Sequence, residues 1–169
     1  MKTKKLTTLA LLSAIALTIF MVEAQIPVPV PVAGIKLGLA NIVTVYTVFT
    51  MGPGAGCLVL GCRIFLGAVF AGNFSTIIYS AAGGALAILA TIGAKRILKP
   101  DQIWVAGCLG AIAHSIGQMV VAVAVTGTPG VLAWLPIMIL CSMVTGCFTG
   151  RSAQYLVKRG KNLWKTFLK

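Results

Sequence analysis

The chain has 169 residues, of which 59% are hydrophobic and only 9% are charged. A soluble domain usually carries about 25% charged residues to keep its surface wetted. The composition therefore excludes an ordinary water-soluble protein and predicts one all-α domain with the lipid bilayer as its solvent. The formal net charge is +12 at pH 7, but clustered bases in so apolar a chain indicate membrane flanks rather than a nucleic-acid-binding surface.

The basic residues form three main clusters, at residues 2–5, at 95–99 and from Arg151 onwards. The positive-inside rule places all three clusters on the cytoplasmic side of the membrane. The chain must then cross the bilayer an even number of times between one cluster and the next. Both termini are therefore expected in the cytoplasm.

Six apolar stretches predict a polytopic protein with about six transmembrane helices, because about 20 apolar residues span a bilayer. The first helix is predicted at 6–22. Residues 25–34 read QIPVPVPVAG, and prolines at alternate positions forbid a helix and favour an extended loop. The other helices are predicted at 37–51, 55–71, 76–94, 103–125 and 131–150. Four crossings precede the central basic cluster and two follow it, so the helix count agrees with the charges.

A basic tail at 151–169 follows this six-helix domain at 1–150. The tail mixes six bases with aromatic and aliphatic residues, which predicts an amphipathic helix in the inner headgroup layer. The start of the chain has a second interpretation, since Val22-Glu23-Ala24 after an apolar run resembles a signal peptide cut after Ala24. The length of that run favours a retained helix.

Three ionisable residues fall within or beside the outer half of the predicted membrane domain. Arg63 lies near the middle of the third helix, Lys36 begins the second, and Glu23 ends the first. Ionisable groups at membrane depth are costly and indicate function. They predict a substrate site below the outer surface, in which two cations favour an anionic small molecule. In the structural alternative Glu23 and Lys36 are interfacial anchors, and Arg63 snorkels or pairs with Glu23.

Neutral polar residues extend this candidate site. His114 and Gln118 share one face of the fifth helix, and Asn41 and Thr44 share one face of the second, because helical neighbours lie three or four residues apart. They predict a lining rich in hydrogen-bonding groups. The alternative is ordinary hydrogen bonding between helices.

Enzymatic signatures are missing from the sequence. There is no paired-carboxylate site, nucleophile elbow, phosphate-binding loop or Cys/His metal set, and the chain contains two acidic residues in all. No cofactor or metal is expected. The five cysteines form no C-x-x-C pair and are expected as small buried residues at helix interfaces.

The run EAQIPVPVPVAGIKLGLAN at 23–41, with Gly52-Pro53 and Arg63, resembles the family labelled heptaprenyl diphosphate synthase component I, also called the Gx transporter family. That family is similar to the substrate-binding S components of bacterial energy-coupling factor (ECF) transporters, six-helix cell-membrane proteins with both ends inside. The resemblance implies that Ala10 and Ala14 match an A-x-x-x-A motif that docks on a coupling subunit with ATPases. It also implies that a small molecule binds under the loop at 25–34.

The enzyme label of that family is not supported by the chemistry of this chain. Prenyl diphosphate synthases hold magnesium and diphosphate with two aspartate-rich motifs, and this sequence has one aspartate, Asp101. We therefore expect a non-enzymatic, substrate-binding subunit of a small-molecule uptake transporter. The alternatives are a non-catalytic membrane partner of an isoprenoid or quinone pathway enzyme, and a module of a flavin or redox assembly.

Overall fold

The computed structural model describes residues 2–26, 35–72 and 75–167, and the regular structure of these residues is entirely helical. Short 3-10 turns at Pro100–Gln102 and Pro129–Trp134 lead into the last two helices. The all-α fold with six helices is therefore confirmed. Most of the proline-rich loop, residues 27–34, lies outside the described residues. The six helices are α1 (Lys2–Glu23), α2 (Asn41–Met51), α3 (Pro53–Ala71), α4 (Ser75–Ile97), α5 (Ile103–Thr126) and α6 (Leu135–Phe167).

Five of the six helices are long and apolar enough to cross a membrane, which makes the chain a multi-pass membrane protein. The exception is α2, whose 11 residues rise about 16 Å, roughly half of the hydrocarbon core. The sequence predicts this helix from residue 37, and that boundary is wrong. Residues 35–38 have no regular structure, and Gly38 has a φ of +85°, a left-handed conformation that ends any helical path.

The last helix is longer than the sequence predicts. α6 is continuous for 33 residues, which corresponds to about 50 Å, and it does not stop at the predicted boundary after Gly150. Ala153 and Val157 are buried and pack with Ile103 of α5 and Val45 of α2. The first part of the basic tail is therefore an integral part of the helix bundle, because its apolar residues continue at four-residue spacing.

Small residues bring α5 and α6 into very close contact. A Cβ atom added to Gly107 would lie 2.4 Å from the Cα of Gly150, and one added to Gly146 would lie 2.8 Å from the Cβ of Ala111. Such contacts let two helix backbones touch, and in lipid this packing replaces the hydrophobic driving force. The serine hydroxyls of Ser115 and Ser142 are also hydrogen bonded across this interface.

The cysteines agree only in part with the expectation of buried interface residues. The Sγ atoms of Cys108 and Cys147 lie 2.9 Å apart between α5 and α6. Cys57 is exposed on α3 instead, and the other four cysteines are half-buried. Their small size suits helix packing, but Cys57 lies on a surface that faces away from the bundle.

Two contacts define one end of the bundle, which we call the basic end. Nζ of Lys95, near the end of α4, donates to the carbonyl oxygen of Val48 at 2.6 Å, where the last carbonyls of α2 lack helical partners. Lys158 of α6 is paired with Asp101 at 2.7 Å. The last turns of α2 and α4, the turn before α5 and the extension of α6 therefore lie together. At the other end, which we call the site end, α1 finishes and α2 begins.

Candidate functional site

The carboxylate of Glu23 fixes the chain where it enters α2. It accepts a hydrogen bond from the backbone N–H of Gly38 and another, at 3.4 Å, from that of Ala40. These amides immediately precede α2, so the carboxylate also faces the positive end of the helix dipole. Glu23 is buried. It therefore acts as an internal anion that joins the end of α1 to the irregular stretch before α2.

A second side chain holds the same stretch from the opposite side. The amide oxygen Oε1 of Gln118 on α5 accepts a hydrogen bond from the backbone N–H of Lys36 at 3.2 Å. Non-helical backbone is tolerated at membrane depth only where protein groups satisfy it. Glu23 and Gln118 supply three such bonds, so residues 35–40 are supported by α1 and α5 rather than by their own secondary structure.

Lys36 lies in this irregular stretch and does not open α2, contrary to the sequence prediction. The reason is the left-handed Gly38, which delays the helix until Asn41. Lys36 is 8% exposed, and its Nζ lies 3.3 Å from the centre of the Phe20 ring. It is therefore a buried cation stabilised by an aromatic face. The positive N-terminal end of the α2 dipole faces the Glu23 carboxylate instead of Lys36.

Arg63 is fully embedded in the bundle rather than extended to a membrane surface. Arg63 is 2% exposed, and its guanidinium carbon lies 5.6 Å from the centre of the Phe20 ring. Phe20 itself packs against Gly67, where an added Cβ would meet the ring at 2.6 Å. The close approach of α1 to α3 at Gly67 thus places one aromatic ring beside both buried cations.

The two cations of this site, Lys36 and Arg63, do not form ion pairs with a carboxylate. Among the described side chains the ion pair formed is Lys158–Asp101, and neither Lys36 nor Arg63 has a carboxylate oxygen within 4.0 Å. The structure therefore does not pair Arg63 directly with Glu23, although the two interact electrostatically. With two cations and one carboxylate, the cluster carries an excess of one positive charge when His114 is neutral.

Three of the four neutral polar residues predicted for the site, Asn41, His114 and Gln118, belong to the same cluster. Thr44 is buried about one helical turn after Asn41 on α2. His114 and Asn41 meet beside Gly38, since a Cβ at that glycine would lie 2.9 Å from Nδ2 of Asn41 and 3.2 Å from Cδ2 of His114. Gly83 of α4 provides another close approach, since a Cβ added there would lie 2.8 Å from Nδ1 of His114 and 2.9 Å from Cγ of Gln118. The side chains of α2 and α5 therefore converge in one place with the stretch at 35–40.

Many polar atoms of this cluster have no hydrogen-bond partner. In the part of the chain that the structure describes, seven buried side-chain atoms are unpaired, and all belong to residues predicted for the site. Leaving a buried polar group unpaired costs about 1–3 kcal/mol. Seven such atoms are therefore not expected in residues that serve only to pack the helices together. They are both amide atoms of Asn41, Oγ1 of Thr44, Nε and Nη2 of Arg63, Nδ1 of His114 and Nε2 of Gln118.

Three residues of the site, Phe20, Gly38 and Gly83, are not predicted from the sequence. Gly38 lies within the GIKLGLAN run and is the second residue of the helix predicted from 37, and a glycine at the start of a predicted helix is a signal for unusual backbone geometry. Phe20 and Gly83 carry no such signal, because an apolar ring and a small residue are common in every membrane helix. Among the described residues, no group of three His, Cys, Asp or Glu side chains forms a metal site.

The predicted docking residues lie away from this cluster, on the outer surface of α1. Ala10 and Ala14 are both exposed. They line an apolar groove of about 390 Å³ between α1 and α3, bounded mainly by leucines such as Leu9, Leu17 and Leu58. The groove is accessible to another helix from the lipid side, which is the geometry that small residues permit.

The sequence family described as heptaprenyl diphosphate synthase component I matches residues 12–156 of this chain. The match includes α1 from Leu12 onwards and every residue of the polar cluster. No curated protein and no solved structure matches the chain.

Proposed function

The chain belongs to the heptaprenyl diphosphate synthase component I family, and we propose that it is the membrane-embedded substrate-binding subunit of a small-molecule uptake transporter. It is not itself a synthase, since a single aspartate cannot build the two aspartate-rich motifs of that chemistry. A role in binding requires no such motifs. It requires a buried site in which polar groups can form hydrogen bonds with a ligand.

The observation that carries this proposal is the unpaired polar cluster between α1, α2, α3 and α5. Polar residues that merely join transmembrane helices bond to each other, which contributes about 0.6 kcal/mol per contact. Here five buried residues leave seven atoms unpaired. Convergent polar groups in an otherwise apolar enclosure are the usual form of a small-molecule site.

The position of the cluster suits uptake from outside the cell. Glu23 and Asn41 lie where α1 ends and α2 begins, opposite the basic end of the bundle. If the basic end faces the cytoplasm, as the positive-inside rule requires, the cluster lies in the outer half of a bacterial cell membrane. A ligand would then reach it beneath the segment that joins α1 to α2.

A transporter without a nucleotide site must take its energy from other subunits. We propose an ECF-type coupling subunit with ATPases, which docks in the groove beside Ala10 and Ala14. Support comes from the exposure of both alanines and from the apolar groove that they line. Docking is therefore separated from ligand binding, since the groove faces lipid and the polar cluster faces the bundle interior.

A second candidate is a non-catalytic membrane partner of an isoprenoid or quinone pathway enzyme. The family description supports it, because it names a component of a synthase. The continuous α6 supports it as well, since this helix runs beyond membrane thickness and carries exposed bases such as Lys158 and Arg159. A soluble enzyme would find its binding surface at that end of the protein.

One experiment separates the two candidates. We would purify the protein in mild detergent, extract it with organic solvent and identify co-purifying small molecules by mass spectrometry. A binding subunit should yield a compound that is lost in His114→Leu and kept in Val120→Leu, a control on the exposed face of the same helix. If no compound depends on His114 and a soluble synthase co-purifies instead, the second candidate replaces the first.

A further inference from the structure

The strongest unexplained feature of the polar cluster is the edge of the Arg63 guanidinium. Nε and Nη2 have no hydrogen-bond partner, although both atoms are buried. These two nitrogens lie on the same edge of the planar group, and their N–H bonds run parallel. An unpaired edge of this kind matches two oxygens of one carboxylate or phosphate group.

Neither of the two acidic side chains, both in the described part of the chain, fills this edge. Of the two, Asp101 is paired with Lys158 at the basic end. The carboxylate of Glu23 is bound by the amides of Gly38 and Ala40 and lies more than 4.0 Å from the Arg63 nitrogens. An isolated buried charge is strongly unfavourable, so the arginine edge points to an anion supplied from outside the chain.

The groups beside Arg63 suit the rest of such a ligand. His114 interacts electrostatically with Arg63 and has a free Nδ1, and Asn41 next to it has both a free donor and a free acceptor. Lys36 contributes its charge from the face of Phe20. The site therefore combines one charged clamp with neutral hydrogen-bonding groups.

We propose that the ligand of this site carries an oxyanion, a carboxylate or a phosphate, which Arg63 binds through Nε and Nη2 as a bidentate pair. This inference rests on the proposed function, because it assigns a chemical class to the ligand of the same site. Asn41 and His114 bond to neutral polar groups next to the oxyanion. Glu23 stays on the backbone amides and does not compete for the arginine.

The test measures thermal unfolding of the purified protein with increasing acetate, succinate, inorganic phosphate or pyrophosphate, against chloride at equal ionic strength. The unfolding temperature should rise with at least one of these oxyanions. A larger rise with acetate and succinate would indicate a carboxylate ligand, and a larger rise with phosphate and pyrophosphate would indicate a phosphate ligand. Arg63→Lys keeps the charge but removes the paired N–H groups, so the apparent Kd should weaken by about tenfold or more. Lack of any oxyanion effect beyond that of chloride would overturn the inference.

Two further variants keep the test decisive if Arg63→Lys does not fold. Arg63→Gln removes the buried charge altogether and should abolish the oxyanion effect in folded, monodisperse protein. Arg96→Gln is the matched control, since it removes one exposed positive charge at the basic end and should leave the effect intact. An oxyanion effect that persists in Arg63→Gln, or that is lost equally in Arg96→Gln, would show that Arg63 is not the clamp.

Failure of this inference is distinguishable from failure of the proposed function. A neutral compound whose co-purification depends on His114, with no oxyanion effect, would leave the substrate-binding role in place and refute the arginine clamp. Oxyanion binding through Arg63 together with co-purification of a soluble synthase would support the clamp and refute the uptake role.

Discussion

The Glu23 carboxylate and the backbone amide of Gly38 are hydrogen bonded across the segment that separates α1 from α2. This bond replaces the helical hydrogen bonds that residues 35–38 lack. It also keeps the negative charge of Glu23 within electrostatic range of Lys36 and Arg63. One side chain therefore contributes both to backbone structure and to the charge balance of the site.

We expect Glu23→Gln to lower the stability of the protein by about 1.5–3 kcal/mol, the usual contribution of a hydrogen bond to a charged group. The amide can accept only one of the two backbone bonds, and the buried cations lose their counter-charge. Thermal unfolding in detergent measures the effect. Asp101→Asn is the matched control, because the Lys158–Asp101 pair is exposed and such pairs contribute about 0–1 kcal/mol. Equal losses in both variants would contradict the role of Glu23.

We expect Gly107→Ala to destabilise the contact between α5 and α6, since the added methyl group would overlap the backbone of Gly150. The matched control is Gly93→Ala on α4, where nothing lies within 4 Å of the added Cβ. That change should be neutral or stabilise by up to about 1 kcal/mol, because alanine favours a helix over glycine. Thermal unfolding compares the two, and similar results for both would contradict the close packing.

We expect Ala14→Leu to prevent docking of a coupling subunit, because the larger side chain fills the groove between α1 and α3. Folding and ligand binding should be unaffected, since the groove lies outside the polar cluster. Co-purification with the coupling subunit measures the effect. Ala85→Leu, at an exposed alanine of α4, is the control. Undiminished co-purification of Ala14→Leu would exclude this face as the docking surface.

We expect the basic end of the bundle to face the cytoplasm. In a cysteine-free background, Lys99→Cys should react with a membrane-impermeant maleimide only after cells are opened, because it lies in the central basic cluster. Thr128→Cys, in the turn between α5 and α6, should react in intact cells. Both residues are exposed, so accessibility depends on sidedness alone. Labelling of Lys99→Cys from outside would refute the proposed orientation.

Periodicity and charge were sufficient to predict the six helices, because lipid demands long apolar helical runs that are visible in the sequence. The polar residues of the site were also visible, since ionisable and amide side chains are rare in such runs. The start of α2 could not be predicted from the sequence, because it depends on a hydrogen bond between Glu23 and Gly38, which are 15 residues apart. The continuation of α6 past Gly150 was hidden for a similar reason, since the burial of Ala153 depends on α5 and α2.

The role of Arg63 could be narrowed only with the structure. Its position in the middle of α3 is compatible with a snorkelling side chain, an ion pair or a ligand clamp. The burial of Arg63 beside Phe20 argues against snorkelling, and the bonds of Glu23 to backbone amides argue against a direct ion pair. The ligand clamp is therefore our proposal, and neither contact is encoded in spacing along the chain. Sequence patterns describe one helix at a time, whereas this site is assembled from five helices and an irregular stretch.

The irregular stretch at 35–40 has a consequence for how the protein can be observed. The amide protons of Lys36, Gly38 and Ala40 are each bonded to a side chain of another helix, Gln118 or Glu23. Amides inside a helix exchange with solvent deuterium when the helix itself opens. These three amides exchange when α1 or α5 separates from the start of α2, so their exchange rates report how often these helices separate.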